Sequence, residues 1–449
     1  MTPKRSPPSV RKTLAAVSLV LSCGLAGAQT ATETELARKL DALAAELASV
    51  KTQLQQLQQK QAEGPTRALA QVEPPSGAVT PPPSLPPPTP ASVPDSSGSL
   101  FGPGTVLTSY GELAYNRPLH QGREAEADVR RFVLGYQHRF DEKTKVVTEL
   151  EVEHAVSSAG DPGEVEVEQA YVERLLNPVW SLRAGLFLMP AGLLNENHEP
   201  TAYYGVERNF VETAIIPSTW REGGLQAIGN FDNGLTAQAG ITTSFNLNKW
   251  DAAATEGRAS PLGSIHQELA LAKAHDLALF GALNWRGIPG LLVGASVFTG
   301  QATQAQTADT SRVTLWDLHA RWTPGPWDIS ALYTRGSISN TAALNRALVG
   351  NPTLIPASFD GYYVQSAYKV WSSGDYALSP FVRWEQFNTA RSYADLGAGL
   401  TPDASPGERV VTLGANFRLS QDVVLKADYQ HFRVNPDLNR VDLGLGWSF

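Results

Sequence analysis

One connection in this 449-residue chain concentrates side chains that could do chemistry. Between residues 190 and 222 it carries Glu196, His198, Glu199, Tyr203, Tyr204, Glu207, Arg208, Glu212, Arg221 and Glu222. Carboxylates outnumber the two arginines, and no lysine is present. Apolar anchors such as Phe210, Ile215, Ile216 and Trp220 alternate with these charges, unlike a freely solvated loop. A long ordered connection of this kind is usually functional. If it folds into a water-filled passage, its charges replace part of an ion's hydration and filter what passes. A metal centre is the rival reading, because His198 stands between Glu196 and Glu199. All three lie within four residues of one loop and no second ligand pair follows, so a polar loop face accounts for them better. No glycine-rich phosphate loop, zinc signature or nucleophile elbow occurs, so no cofactor and no catalytic residue is assigned.

The elements that hold this loop are strands. In the last eleven residues, Val441, Leu443, Leu445, Trp447 and Phe449 alternate with Arg440, Asp442, Gly444, Gly446 and Ser448. That period of two gives one apolar and one polar face over a length that crosses a bilayer when tilted. About sixteen such runs fill 101–449. Their connections alternate short and long. Turns such as 141–143, 232–233 and 324–325 are brief, whereas 190–222 and 245–276 are long. An up-and-down membrane barrel has this asymmetry, and a Greek-key sandwich has no reason to keep it. Phe140, Phe231, Trp285, Trp322, Phe417 and Phe449 close the apolar face at the short-turn end, as a girdle at one membrane boundary does. Trp371 breaks that parity, which a bulge would explain. The expected fold is all-β: a transmembrane antiparallel β-barrel of about sixteen strands.

In such a barrel the inward face is polar and solvated. With Arg130 set aside, its basic candidates are Arg131, Arg139, Arg183, Arg321, Arg383 and Arg418, opposed by carboxylates such as Glu149, Glu151 and Glu153. The lack of a buried core signature fits a water-filled interior.

Ahead of the strands come three different segments. Residues 1–28 read as a signal peptide, with Lys4, Arg5, Arg11 and Lys12 before an apolar run and Ala26-Gly27-Ala28 at the cut. Residues 29–63 place Leu36, Leu40, Leu43, Leu47, Val50, Leu54 and Leu57 on an a/d seam, a coiled coil that would self-associate in the periplasm. Residues 64–100 are a Pro-rich spacer. Cys23, the only cysteine, falls in the targeting segment, so the mature chain has no disulfide or thiolate site. A net charge of −8 argues against nucleic acid as a partner.

The chain resembles the phosphate-selective porin O and P family of Gram-negative outer membranes. The resemblance rests on Leu186-Phe187-Leu188-Met189-Pro190, on the stretch from Arg208-Asn209 to Pro217-Ser218, and on Trp220-Arg221-Glu222-Gly223-Gly224. It implies an outer-membrane porin, a homotrimer of sixteen-stranded barrels embedded in lipid, passing small hydrophilic solutes and ions, with anions such as phosphate among them. The 190–222 connection would then be the constriction loop. The acidic balance of that loop departs from the arginine ladders and lysine cluster of the phosphate channels, so phosphate selectivity is not carried over. Two other functions remain: an envelope anchor working through the coiled coil, and a barrel enzyme.

Overall fold

A computed structural model describes residues 104–155, 163–307 and 309–449. The expected signal peptide, coiled coil and Pro-rich spacer lie outside the described residues. The strands are β1 (Thr105–Pro118), β2 (Glu126–Arg139), β3 (Thr144–Glu153), β4 (Val165–Leu175), β5 (Trp180–Leu188) and β6 (Arg221–Asn230). Then come β7 (Leu235–Thr243), β8 (Leu277–Ile288), β9 (Leu291–Gln301), β10 (Arg312–Trp322), β11 (Trp327–Ile338) and β12 (Ser358–Tyr368). The set ends with β13 (Trp371–Ser373), β14 (Tyr376–Ser392), β15 (Glu408–Arg418), β16 (Val423–Phe432) and β17 (Arg440–Ser448).

Successive strands pair antiparallel, except that β12 and β13 both pair with β14, and β1 closes on β17 from Tyr110↔Ser448 to Pro118↔Arg440. β12 and β13 are one crossing broken near its short-turn end, so seventeen segments make sixteen passes of a closed cylinder. Closure leaves no strand edge unpaired, the condition for a sheet in hydrocarbon. The outward positions are apolar and open: Leu279 is 61% exposed, Leu283 55% and Leu318 55%. A face of this kind belongs against lipid. Phe140, Trp285, Trp322 and Phe449 sit exposed at the short-turn ends, joined there by Trp180, Trp327 and Tyr376.

Three bulges decide which side chains point inward. On β2, Glu112 pairs with Arg131 and Leu113 with Val129, leaving Arg130 as an extra residue. On β4, Glu149 pairs with Gln169 and Leu150 with Val167, leaving Glu168 extra. A bulge lets two consecutive side chains share a face. Arg130 and Arg131 therefore both reach the interior, as do Glu168 and Gln169. Between β12 and β13 the pairing moves from Ala367↔Phe381 to Trp371↔Leu378, one residue out of step. That slip turns Trp371 outward, where it stacks on Phe417 at 6.4 Å.

The interior is not polar throughout, contrary to the expectation from composition. Phe280, Phe298, Val313, Leu315, Leu332, Ile338, Phe359 and Tyr363 point inward from β8 to β12 and are buried. They form a single apolar cluster with Met189, Val211, Ile215, Ile216 and Trp220 of the long loop and with Phe245, Leu247, Trp250, Leu262 and Ile265 of the next one. Two loops thus fold into the cylinder and cover an apolar patch of wall, where burial of carbon surface outweighs hydration. Polar inward side chains share these strands, among them Asp317, His319, Ser330 and Thr334, and line the rest of the wall.

Candidate functional site

The loop joining β5 to β6 leaves the wall at Met189, and its backbone is tied at the base by Asn195. The Asn195 amide donates to the carbonyls of Met189 and Trp220 (both 2.7 Å), and its side-chain oxygen accepts from the Trp220 amide at 2.7 Å. Trp220 then stacks on Phe245 (5.4 Å) and meets Phe298 edge-on (4.9 Å).

From this base the loop crosses the interior. The Gly192 amide donates to Asp317 of β10 at 3.1 Å. Glu196 accepts from Gln238 of β7 at 3.2 Å and stays exposed to the lumen. His198 is buried against Glu168 of β4 (2.7 Å) and Tyr110 of β1 (2.7 Å). Burial alone would favour its neutral form, but the facing Glu168 carboxylate prevails and raises the His198 pKa. The Tyr203 hydroxyl donates to Glu112 of β1 at 2.7 Å, and burial followed by that carboxylate pushes its pKa up. The Tyr203 ring lies 3.5 Å from Lys426 Nζ, which has no hydrogen-bond partner among the described residues. Tyr204 packs on Phe381 of β14 at 5.7 Å. The Val206 amide donates to Asp428 of β16 at 2.6 Å.

Glu207 binds across the β1–β2–β17 seam. It accepts from Arg130 Nη1 and Asn116 Nδ2, both at 2.8 Å, and lies 3.7 Å from Arg440. Among the described residues Arg208 has hydroxyl partners only: Ser218 at 2.8 Å and Thr219 at 2.9 Å. A short helical turn at Val211–Ile215 sets Glu212 beneath the loop. There Glu212 accepts from the amides of Leu193 (2.6 Å) and Leu194 (2.8 Å), from Asn209 (2.9 Å) and from the Tyr363 hydroxyl (2.9 Å). Burial raises its pKa despite these donors.

Of the ten loop residues singled out from the sequence, eight lie in this crossing segment. Glu199 is half-buried there beside His198. Arg221 and Glu222 do not belong to it: they are the first residues of β6. Arg221 pairs with Glu166 and, at 2.9 Å, with Glu268 of the following loop. Glu222 is fully buried between Trp220 and Thr243.

The six wall arginines do not form one row. Arg131 is held by Glu112 at 2.8 Å and donates to the His198 carbonyl at 2.7 Å. Arg183 pairs with Glu173 at 3.1 Å and covers the Tyr171 ring at 4.2 Å. Arg321 grips Asp328 through one guanidinium edge, Nε donating at 3.0 Å and Nη2 at 2.7 Å. Arg383 is buried on Glu385 at 3.0 Å and donates to the Tyr204 carbonyl at 3.2 Å. Arg139 and Arg418 stand exposed at the short-turn end, with no carboxylate partner among the described residues. Four of the six are thus neutralised structural groups. Tyr110, Glu112, Arg130, Glu168 and Arg440 complete the site. Their signal in the sequence was the strand register, which the bulges hide.

Residues 108–436 match the family described as phosphate-selective porin O and P. An uncharacterized protein of Aquifex aeolicus is 27% identical over 357 residues, covering 77% of this chain and 80% of the relative. Among solved structures, Salmonella typhi OmpF in complex with daunomycin aligns with a TM-score of 0.53 at 14% identity, over 77% of this chain and 97% of that one. The outer-membrane channel DcaP of Acinetobacter baumannii aligns with a TM-score of 0.50 at 15% identity, over 78% and 99%. These likenesses agree on a porin-type closed barrel. With most of its length matched, the chain belongs to the phosphate-selective porin O and P family and is an outer-membrane channel protein.

Proposed function

We propose that the chain is a porin for passive diffusion of small hydrophilic solutes and ions, working as a homotrimer, with the loop between β5 and β6 as its constriction. The observation that carries this reading is the span of that loop. Side chains of β1, β2, β4, β7, β10, β12, β14, β16 and β17 all hold it from within the wall. A loop anchored all round the circumference narrows the cross-section at one level and sets fixed charges there. Glu196, Glu199 and Arg208 are its charges that are not fully buried and have no salt bridge among the described residues. Phosphate selectivity is not part of the proposal, because the arginines that could form an anion ladder are mostly bound to carboxylates. A chain with its N-terminal segment in the periplasm and its barrel in outer-membrane lipid needs no cofactor for this work.

The test is conductance. Purified protein added to a planar bilayer should give discrete steps in potassium chloride, and proteoliposomes should swell in small sugars more slowly as sugar size rises. A bilayer that stays silent, with liposomes that do not swell, would overturn the reading.

A further inference from the structure

The outer surface of the barrel carries one arrangement that the pore does not explain. Arg409 on β15 and Arg433, just after β16, are cross-strand neighbours: Val410 pairs with Phe432, and the Arg433 amide donates to the Arg409 carbonyl at 3.0 Å. Both side chains are exposed. Their parity is that of Leu413 and Leu425 on the lipid-facing side, while Val410, Thr412 and Phe432 point inward and are buried. Neither guanidinium has an ion-pair or hydrogen-bond partner among the described residues. Glu408, adjacent to Arg409 in the chain, is engaged by three backbone amides: Val434 at 2.8 Å, Arg409 at 2.9 Å and Asn435 at 3.0 Å. Two like charges directly opposite each other on a sheet repel. The chain as a whole is acidic, so this basic pair is not a sample of its average surface.

The depth of the pair is informative. Phe417 of the short-turn girdle and Arg409 lie at opposite ends of β15. At about 3.3 Å per residue and a tilt of roughly 40°, that stretch climbs about 20 Å, most of the apolar band. Level with the pair is Gln386, the partner of Arg409; below come Val411 between Trp384, at 39% exposure, and the exposed His431, then Leu413, at 52%, beside Tyr429. Charged fork above, aromatic and aliphatic carbon below, is the outline of an amphiphile.

We propose that Arg409 and Arg433 form a binding site for the phosphate headgroup of a lipid in the long-loop leaflet, with its acyl chains lying along Trp384, Val411 and Leu413. A phosphate between two guanidinium groups relieves their repulsion and takes several charge-assisted hydrogen bonds at once. Placement on the lipid side names the source as a membrane lipid rather than a free anion in the lumen.

Thermal unfolding of the full chain in nonionic micelles tests this. Dioctanoyl phosphatidic acid should raise Tm in a saturable way, whereas dioctanoylglycerol and inorganic phosphate at equal concentration should not. Arg409→Ser should abolish the rise and, without lipid, should melt no lower than the wild type, since a repulsive neighbour has gone. Arg433→Gln should do the same by an independent change, and single-channel conductance should stay unchanged in both. An equal rise in both variants, a full rise with inorganic phosphate alone, or a loss of lipid-free stability in both would each overturn the proposal.

Discussion

His198 on the inward loop and Glu168 on the β4 bulge face each other with Nε2 2.7 Å from Oε1, and the Tyr110 hydroxyl lies 2.7 Å from each residue. On its other side His198 Nδ1 is 2.9 Å from the Asn195 carbonyl, which can only accept. Nδ1 must therefore carry a proton, and a second proton on Nε2 is what suits the carboxylate. The geometry and the raised His198 pKa agree on an imidazolium. A group whose folded pKa lies above its unfolded value stabilises fully below the unfolded value, near 6.5, and loses that contribution as pH rises through the folded one. The Tm difference between wild type and His198→Gln should be widest at mildly acidic pH and shrink with alkali. A difference that widens with pH would show that the imidazole binds as a neutral ring.

Glu212 should be the main fastener of the loop. Its pKa is raised by burial, so a neutral amide is a fair substitute. Glu212→Gln should retain an acceptor for the Leu193 and Leu194 amides but turn an NH2 toward the Asn209 amide donor, so it should cost less than the alanine variant without being neutral. Glu212→Ala strands both amides, Asn209 and the Tyr363 hydroxyl, a loss on the order of 3 kcal/mol. Urea unfolding gives the stability, and limited proteolysis reports on the loop. Cleavage between residues 189 and 220 should appear in the alanine variant and not in the glutamine one. Equal resistance in both would move the anchoring role elsewhere.

The contrast between what alternation reveals and what it hides follows from these same residues. Strand number, short and long connections and the aromatic girdle are period-two features, and they were legible because lipid outside and water inside enforce strict alternation. Arg130 and Glu168 were not legible. Each is an inserted residue that changes parity for a few positions, and no composition rule marks it. Trp371 showed the symptom of such a slip, a break in parity, without showing where the extra residue lay. The apolar interior of β8 to β12 escaped notice for a different reason. Phe298, Leu315, Leu332 and Phe359 are inward positions made dry by Trp220, Ile215 and Phe245 of distant loops. That is a tertiary contact, and a strand read alone assigns its two faces from local pattern only. Arg221 and Glu222 show the same limit: they open strand β6, and nothing in the local pattern separates them from the loop before it.

Trp220 tests whether that dry patch carries stability. It is 1% exposed and packed between Phe245 and Phe298. Trp220→Ala should cost about 3–5 kcal/mol through lost packing and the cavity left behind. Trp220→Phe should recover most of this, since one aromatic face would still stack on Phe245. Unfolding midpoints in urea for the three proteins decide the point. An alanine variant within about 1 kcal/mol of the wild type would mean that the loop rests on its hydrogen bonds and that the apolar patch is incidental.

Glu207 and Arg208 are adjacent and should act on permeation with opposite signs. Glu207 neutralises Arg130 and offsets Arg440, which also has Asp442 at 3.1 Å. Glu207→Gln removes that countercharge and leaves an excess of guanidinium charge at the level of the loop, favouring anions. Arg208 is held by two hydroxyls and no carboxylate, so Arg208→Glu converts a lone cation into an anion and favours cations. In a watery passage a unit charge within about 4–8 Å of a passing ion contributes about 0.5–1 kcal/mol, a change of roughly two- to fivefold in permeability ratio. Reversal potentials across a potassium chloride gradient should therefore shift in opposite directions for the two variants. Arg208→Glu should give the larger shift, because its charge changes by two units rather than one. The Glu207 variant also loses a structural pair, so its single-channel conductance must be compared with the wild type to separate a charge effect from a displaced loop. Unchanged reversal potentials in both, at unchanged conductance, would take this segment out of the ion filter and leave selectivity to the exposed Arg139 and Arg418 at the short-turn mouth.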